Sequence, residues 1–227
     1  MDIKQIQAKY YTRTTVEEDR PVLDFIKKLS PNNHYNYLEV GAGLGRFVKL
    51  VKNNYKNLDI DCLEINEQLH QDLIAAEFKS SLGSICKMPF QNNSFDIVHC
   101  SHIIEHLGYP EITQALDELF RVVKTNGYVI IRSPFMHPGF YNDIDHIRPY
   151  PPKTILQYFG NRQQQKTAKE QIKLIKEFHR PEPFQINLNI RGISRLNFCL
   201  KLFWSKYGWL NDKSSGYVAI FQKLPIN

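Results

Sequence analysis

Tyr35-Asn-Tyr-Leu-Glu-Val-Gly-Ala-Gly-Leu-Gly-Arg-Phe47 is the stretch whose reading decides the fold. Tyr37, Leu38 and Val40 give its first half the composition of a strand, and glycines then fall at every second position, at Gly41, Gly43 and Gly45. Leu44, Phe47, Val48 and Val51 follow at helical spacing, with Arg46, Lys49 and Lys52 off that face. A strand that breaks in a glycine-rich turn and enters a helix is a nucleotide-binding device. Glycine turns the backbone tightly and lets a ligand approach without meeting a Cβ atom. The dinucleotide fingerprint G-x-G-x-x-G requires a glycine at 46, where this chain has Arg46. Glu39 lies two residues before the first glycine. A carboxylate there repels a pyrophosphate on the same turn but accepts hydrogen bonds from a cationic or hydroxylated ligand. The turn therefore suits a ligand with a positively charged amino-acid part and no phosphate.

Beyond the glycine helix, Asn53-Asn54 breaks the pattern, and Leu58 to Leu63 reads as a second strand ending at Glu64. Glu64 lies 19 residues after Gly45, at a strand tip, where one carboxylate can take both hydroxyls of a ribose. The pattern Glu39-x-Gly41-x-Gly43-x-Gly45 resembles motif I of the class I S-adenosylmethionine-dependent methyltransferases. Pro89-Phe90 and Ser94-Phe95-Asp96 match that family's Leu-Pro-Phe and Ser-Phe-Asp, and Glu118-Leu-Phe-Arg-Val-Val-Lys-Thr-Asn-Gly127 is similar to its Glu-x-x-Arg-Val-Leu-Lys-Pro-Gly-Gly. Ser84 departs from the aspartate that usually takes the adenine amino group, although a hydroxyl still accepts one hydrogen bond. The resemblance implies a Rossmann-like α/β fold, a seven-stranded, mostly parallel sheet with helices on both faces and an antiparallel last strand. It implies S-adenosyl-L-methionine as cofactor, held by Glu39, Gly41, Ala42, Gly43, Gly45, Glu64, Ile65, Ser84, Ile85, Cys86 and Ser101.

Length and composition agree with one soluble domain. The chain has 227 residues, 42% hydrophobic and 23% charged, enough to bury a substantial core. No apolar run approaches the ~20 residues that span a bilayer, and Met-Asp-Ile-Lys-Gln-Ile-Gln lacks the apolar centre of a signal peptide, so a cytoplasmic location and no stable membrane insertion are expected. Cys62, Cys86, Cys100 and Cys199 form no C-x-x-C pair and read as free thiols. The net charge of +6 is spread over scattered lysines, which does not point to nucleic acid. Nothing bears on the oligomeric state.

Along the chain, Pro21 opens a helix with Val22, Phe25, Ile26 and Leu29 on one face, and residues 1–34 read as an N-terminal lid and helix. Residues 35–133 predict the order β-α-β-α-β-β-α-β, the cofactor-binding half. Residues 134–227 supply an acceptor-side loop, an insertion helix over Gln163 to Phe178, a further helix over Gly192 to Trp209, and two closing strands at Phe184 to Ile190 and Gly216 to Lys223. The proline-punctuated loop from Ser133 to Pro152 leaves its strand at the edge that holds the glycine turn, so it can close over the cofactor's methyl group.

Methyl transfer to a hydroxyl needs a base. The candidates at the strand tips are His102, Glu105, His106, His137 and His146, with Asp143 or Asp145 to orient a histidine. His146, Glu105, His106 and His102 are taken as the catalytic set. His102-x-x-Glu105-His106 also resembles the Glu-x-x-Glu-His signature of methyltransferases that use a divalent cation. That resemblance would add His146 as a ligand, and a metal is left uncommitted, with no metal-binding residue assigned. The function expected is methylation of a small-molecule acceptor, an O-methylation of a sugar or secondary metabolite. The alternatives are an RNA or protein methyltransferase, or a nucleotide-fold binding module without turnover. An NAD-dependent oxidoreductase is disfavoured by Arg46 and Glu39.

Overall fold

The computed structural model describes residues 18–29, 33–160, 170–181 and 214–225. Seven strands are present among them: β1 (Tyr35–Val40), β2 (Leu58–Glu64), β3 (Lys79–Leu82), β4 (Phe95–Ser101), β5 (Val123–Pro134), β6 (Gln171–Pro181) and β7 (Ser214–Leu224). They form one sheet in the order β3-β2-β1-β4-β5-β7-β6. Pairs from β3 to β5 are parallel, and β7 runs antiparallel to both β5 and β6. Helical residues 18–28 form α1. It is followed by α2 (Arg46–Asn54), α3 (Glu67–Ala75), α4 (Glu111–Val122) and α5 (Pro152–Phe159). Over residues 35–133 the element order is the expected one.

Alternation along the strands sorts the core into two layers. Leu38, Val40, Val98, Cys100, Val129, Ile131, Ala219 and Phe221 pack with Ala115, Leu119 and Phe120 of α4 and Ile155 of α5. The intervening Tyr37, Ile97, Ile130, Val218 and Ile220 pack with Val22 and Ile26 of α1 and with Phe47 and Val51 of α2. Burying both faces is what makes these strands near-continuous apolar runs. It also assigns Glu39 and His99 to the α1–α2 side of the sheet.

Two expectations change. Helix α1 is already formed at residue 18, so Pro21 lies inside it rather than opening it. The insertion helix expected over Gln163 to Phe178 is β6 from Gln171 onward, and residues 161–169 lie outside the described residues. A bulge explains the misreading. Leu174 pairs with Phe221 and Lys176 with Ile220, so Ile175 is the extra residue. Ile172 and Leu174 therefore join one core layer, while Phe178, beyond the bulge, joins the other. The bulge spaces the apolar residues 172, 174, 175 and 178 much as a helix would. This strand takes the place expected for Phe184 to Ile190, a segment outside the described residues, as is the helix expected over Gly192 to Trp209. The closing strand expected at Gly216 to Lys223 is β7. No helix among the described residues is long and apolar enough to cross a membrane.

Candidate active site

The carboxyl ends of β1, β2 and β4 meet at the glycine turn. Gly41, Gly43 and Gly45 have φ of +69°, +54° and +72°, a region where side chains are strained. A Cβ atom at Gly41 would lie 2.4 Å from Cδ1 of Ile103, so the turn packs directly against the chain leaving β4. At Gly43 nothing lies within 4 Å of such an atom, which leaves that side of the turn open to a ligand. The buried carboxylate of Glu64 faces this turn. Its Oε2 accepts from the Gly43 amide at 2.8 Å, and its Oε1 accepts from the amides of Ile65 and Asn66, each at 3.0 Å. Oε2, which accepts only one of these bonds, retains a lone pair for a hydroxylated ligand. Beside it, Ile65 is 72% exposed and Leu44 74% exposed, apolar surface of the kind that packs on a flat ring. Ser84 accepts from the Cys86 amide at 3.1 Å, Ile85 is buried, and the Cys86 thiol donates to the Glu111 carbonyl at 3.5 Å. Ser101 ends β4, half-buried.

Glu39 is turned inward. The Tyr37 hydroxyl donates to its Oε2, and His99 Nδ1 lies 2.9 Å from Oε2 and 3.0 Å from Oε1. All three side chains are buried, and His99 Nε2 has no partner among the described residues. Burial, then the adjacent Glu39 charge, raises the Tyr37 phenol well above its ordinary value, so it stays a donor. Nothing in the one-dimensional pattern pairs residue 39 with residue 99; the β1–β4 register does. Asp19 of α1 was also missed. It is buried between Arg46, at 2.5 and 3.1 Å, and Arg132 at 3.0 Å, while Glu18 bonds Arg132 as well. Arg46, whose side chain excluded a dinucleotide reading, thus ties α1 to the turn.

The chain leaving β4 carries the second group. His102 adopts φ +55°, an uncommon conformation that clusters at functional sites. Its Nδ1 lies 2.9 Å from Glu105 Oε1, and the Ser133 hydroxyl donates to Glu105 Oε2 at 3.1 Å. Glu105 is fully buried. Burial opposes its ionisation, but His102, a backbone amide and Ser133 outweigh that and hold its carboxyl below the ordinary value. The amides of Ile147 and Arg148 donate to the Glu105 carbonyl at 2.9 and 3.2 Å, docking the long loop on this segment. His106 Nδ1 donates to the Asp145 carbonyl at 3.1 Å, and His146 Nδ1 to the Phe140 carbonyl at 2.7 Å. The two imidazoles lie 4.9 Å apart, and His146 also stacks on Phe140 at 4.6 Å. His146 Nε2 is 3.7 Å from Asp143 Oδ2. His137 accepts from the Gly139 amide at 3.1 Å and does not join this cluster. The four expected catalytic side chains therefore share one edge, with Glu105 linking His102 on one side to His106 and His146 on the other.

Residues 38–131 match the family described as Methyltransferase domain. The chain is 29% identical over 105 residues to a sarcosine/dimethylglycine N-methyltransferase of Aphanothece halophytica, a match covering 43% of this chain and 37% of that protein. It is 35% identical over 108 residues to an ajmaline N-methyltransferase of Rauvolfia serpentina, covering 43% of this chain and 35% of that one. The matches thus span well under half of these relatives' lengths. Among solved structures, a SAM-dependent methyltransferase from Archaeoglobus fulgidus superposes with a TM-score of 0.58 at 20% identity, over 98% of this chain and 100% of that one, a likeness of fold. Residues 38–131 therefore match the Methyltransferase domain family, and the seven-stranded sheet built on them shares its fold with that solved S-adenosylmethionine-dependent methyltransferase.

Proposed function

We propose that the chain transfers the methyl group of S-adenosylmethionine to an oxygen of a small molecule, a sugar or a secondary metabolite, bound beside the end of β4. The observation that supports this reading is the close approach of Ile103 to Gly41, which brings the segment carrying His102, Glu105 and His106 next to the glycine turn. In an in-line displacement the acceptor oxygen forms its bond to the methyl carbon as the carbon–sulfur bond breaks. Sulfur keeps that electron pair and becomes a neutral thioether, and the acceptor's proton has to leave. His146 is the residue proposed to take it, because its Nδ1–H is committed to a carbonyl and its Nε2 carries the free lone pair. Glu105, His106 and His102 hold this edge in place. On the cofactor side, Glu64 takes the ribose, Ile65, Ser84, Ile85 and Cys86 the adenine, and Gly41, Ala42, Gly43, Gly45 and Ser101 the amino-acid part. Glu39, held by Tyr37 and His99, supports the turn from within.

A nitrogen acceptor is the second reading, favoured by the names of the two relatives, both N-methyltransferases. A neutral tertiary amine has no proton to lose, so the two readings differ in their need for a base. Calorimetry with S-adenosylhomocysteine, then mass spectrometry of hydroxylated and amine-bearing small molecules incubated with S-adenosylmethionine, tests both. Micromolar homocysteine-adduct binding and a methylated hydroxyl compound are expected. Methylation confined to amines replaces the first reading with the second. Methylation confined to RNA or protein, or cofactor binding with no turnover on any acceptor, overturns both.

A further inference from the structure

A line of alternating charge runs from the glycine turn to the end of β6. The Arg46 guanidinium donates to Asp19 at 2.5 and 3.1 Å, and Arg132 donates to Asp19 at 3.0 Å and also to Glu18. Arg180 Nη1 then stands 3.7 Å from Glu18 Oε1, beyond hydrogen-bond reach. Three cations thus face two carboxylates, and among the described residues the line ends on a cation. The Asp19 and Arg132 side chains are only 1% and 10% exposed, whereas that of Arg180 is 29% exposed, so this end is the one a ligand can reach. Arg180 Nε donates to the Ser215 hydroxyl at 3.0 Å and Nη2 to the Ser215 carbonyl at 3.3 Å, while Nη1 makes no hydrogen bond among the described residues. Burial lowers the Arg180 pKa from its ordinary value, opposed by Glu18 and Glu105 and reinforced by Arg132. An arginine stays charged even so, and a desolvated cation with donors unfilled favours an anion.

This end of the line lies beside the edge assigned to the acceptor. Strands β5 and β6 both pair with β7, and Pro134, Gly216 and Arg180 fall in one row across the three. A Cβ atom at Gly216 would lie 3.1 Å from both Arg180 Nη2 and the Ser133 carbonyl, so the space left by the missing side chain is where the guanidinium meets β5. Ser133 is also the residue whose hydroxyl holds Glu105. Glu105 acts on Arg180 through space, but its hydrogen bonds go to His102 and Ser133. We propose that Arg180 selects the acceptor by pairing with a carboxylate that the acceptor carries. This deepens the methyl-transfer reading and rests on it, for an oxygen or a nitrogen acceptor alike. A planar guanidinium fork matches a planar carboxylate. One missing negative charge also fits a carboxylate, whereas a phosphate monoester brings nearly two. Ser215 fixes the opposite side of the guanidinium, so little side-chain freedom is lost when the anion binds.

The test uses the full chain with S-adenosylmethionine and matched pairs of small acceptors, hydroxy acids and amino acids each set against its uncharged primary amide. Turnover of the free acids is expected, with kcat/KM at least about tenfold above that of the paired amides. Arg180→Gln should raise KM for the acid by about tenfold or more, hold kcat within about threefold, and bring the acid-to-amide ratio near one. Arg180→Lys, which keeps the charge and loses the fork, should fall between the two. Lys173→Gln, which removes an exposed charge from the same strand, should leave the ratio unchanged. An arginine that only held the fold would lower turnover of both members of a pair together and leave the ratio intact. Amides turned over as well as acids, phosphate monoesters preferred to acids, or an acid preference that survives Arg180→Gln overturns the assignment. S-adenosylhomocysteine binding measured on the same samples verifies that the variants fold and separates the two failures. Nucleoside binding without turnover of any acid sinks the carboxylate pairing alone, and no nucleoside binding removes the methyl-transfer reading and this inference with it.

Discussion

The two halves of the site are built by different means. On the proposed cofactor side the groups offered to a ligand come from the backbone and from one carboxylate, with three glycines in the left-handed region and Glu64 bridging the Gly43 amide to those of Ile65 and Asn66 just before α3. On the acceptor side the backbone serves to hold side chains, with carbonyls 105, 140 and 145 fixing the loop and the orientation of two imidazoles. A backbone-built site tolerates little change in residue type at its glycines and commits the chain to one ligand. A side-chain-built site can be re-specified by changing two or three residues. The family match takes in the first half together with His102, Glu105 and His106, and stops before His146 in the loop.

That contrast can be broken by substitution, and the largest effect is expected at Glu64. Glu64→Ala would remove the proposed ribose hydrogen bonds, on the order of 2–4 kcal/mol, and strand the amides of Gly43, Ile65 and Asn66. Calorimetry should show S-adenosylhomocysteine affinity falling by that amount, with a lower melting temperature. An affinity within twofold of the wild type would mean that the carboxylate only caps the turn. His146→Ala should cut turnover on an identified hydroxyl acceptor by roughly a hundredfold, as expected for loss of a general base, with nucleoside affinity unchanged. Loss of both would erase the division between the halves, and normal turnover would remove His146 from the chemistry.

Gly43→Ala sharpens the comparison further. No atom blocks the added Cβ, so only the left-handed conformation resists it, and stability should drop by roughly 1–2 kcal/mol in denaturant melts. If nucleoside affinity falls by much more than stability does, the open side of Gly43 is where the ligand lies. An unchanged affinity would place the ligand elsewhere on the turn.

The smallest effect expected is a pH dependence confined to the acceptor side. The Glu105 carboxyl is held below its ordinary value of 4.5, so its contribution to stability is present above about pH 4.5 and is lost as pH falls through the lower folded-state value. Glu105→Gln should therefore flatten the acid limb of the melting-temperature profile relative to the wild type. Parallel acid limbs in the two proteins would show that Glu105 gains nothing from its ionic partners.

Much of this molecule follows from local rules acting on consecutive residues. The glycine spacing, the strand-tip position of Glu64, the apolar runs of β1, β4 and β5 and the stripe of α4 each report on neighbours within a few residues. Asn126, within β5 where the resembled pattern has a glycine, takes the positive φ its short polar side chain tolerates. What the chain does not reveal locally is contact between distant residues. The β1–β4 register makes Glu39 and His99 partners across 60 positions, and α1 delivers Asp19 to Arg46 and Arg132. The β6 bulge turns a helix-like spacing into a strand, because pairing with β7 fixes which residues face which core layer. His102, Glu105, His106 and His146 could be named as candidates from the sequence. Their division into a His102–Glu105 pair and a convergent Glu105–His106–His146 set required the loop to dock on the Glu105 carbonyl, a long-range hydrogen bond that residue spacing does not encode.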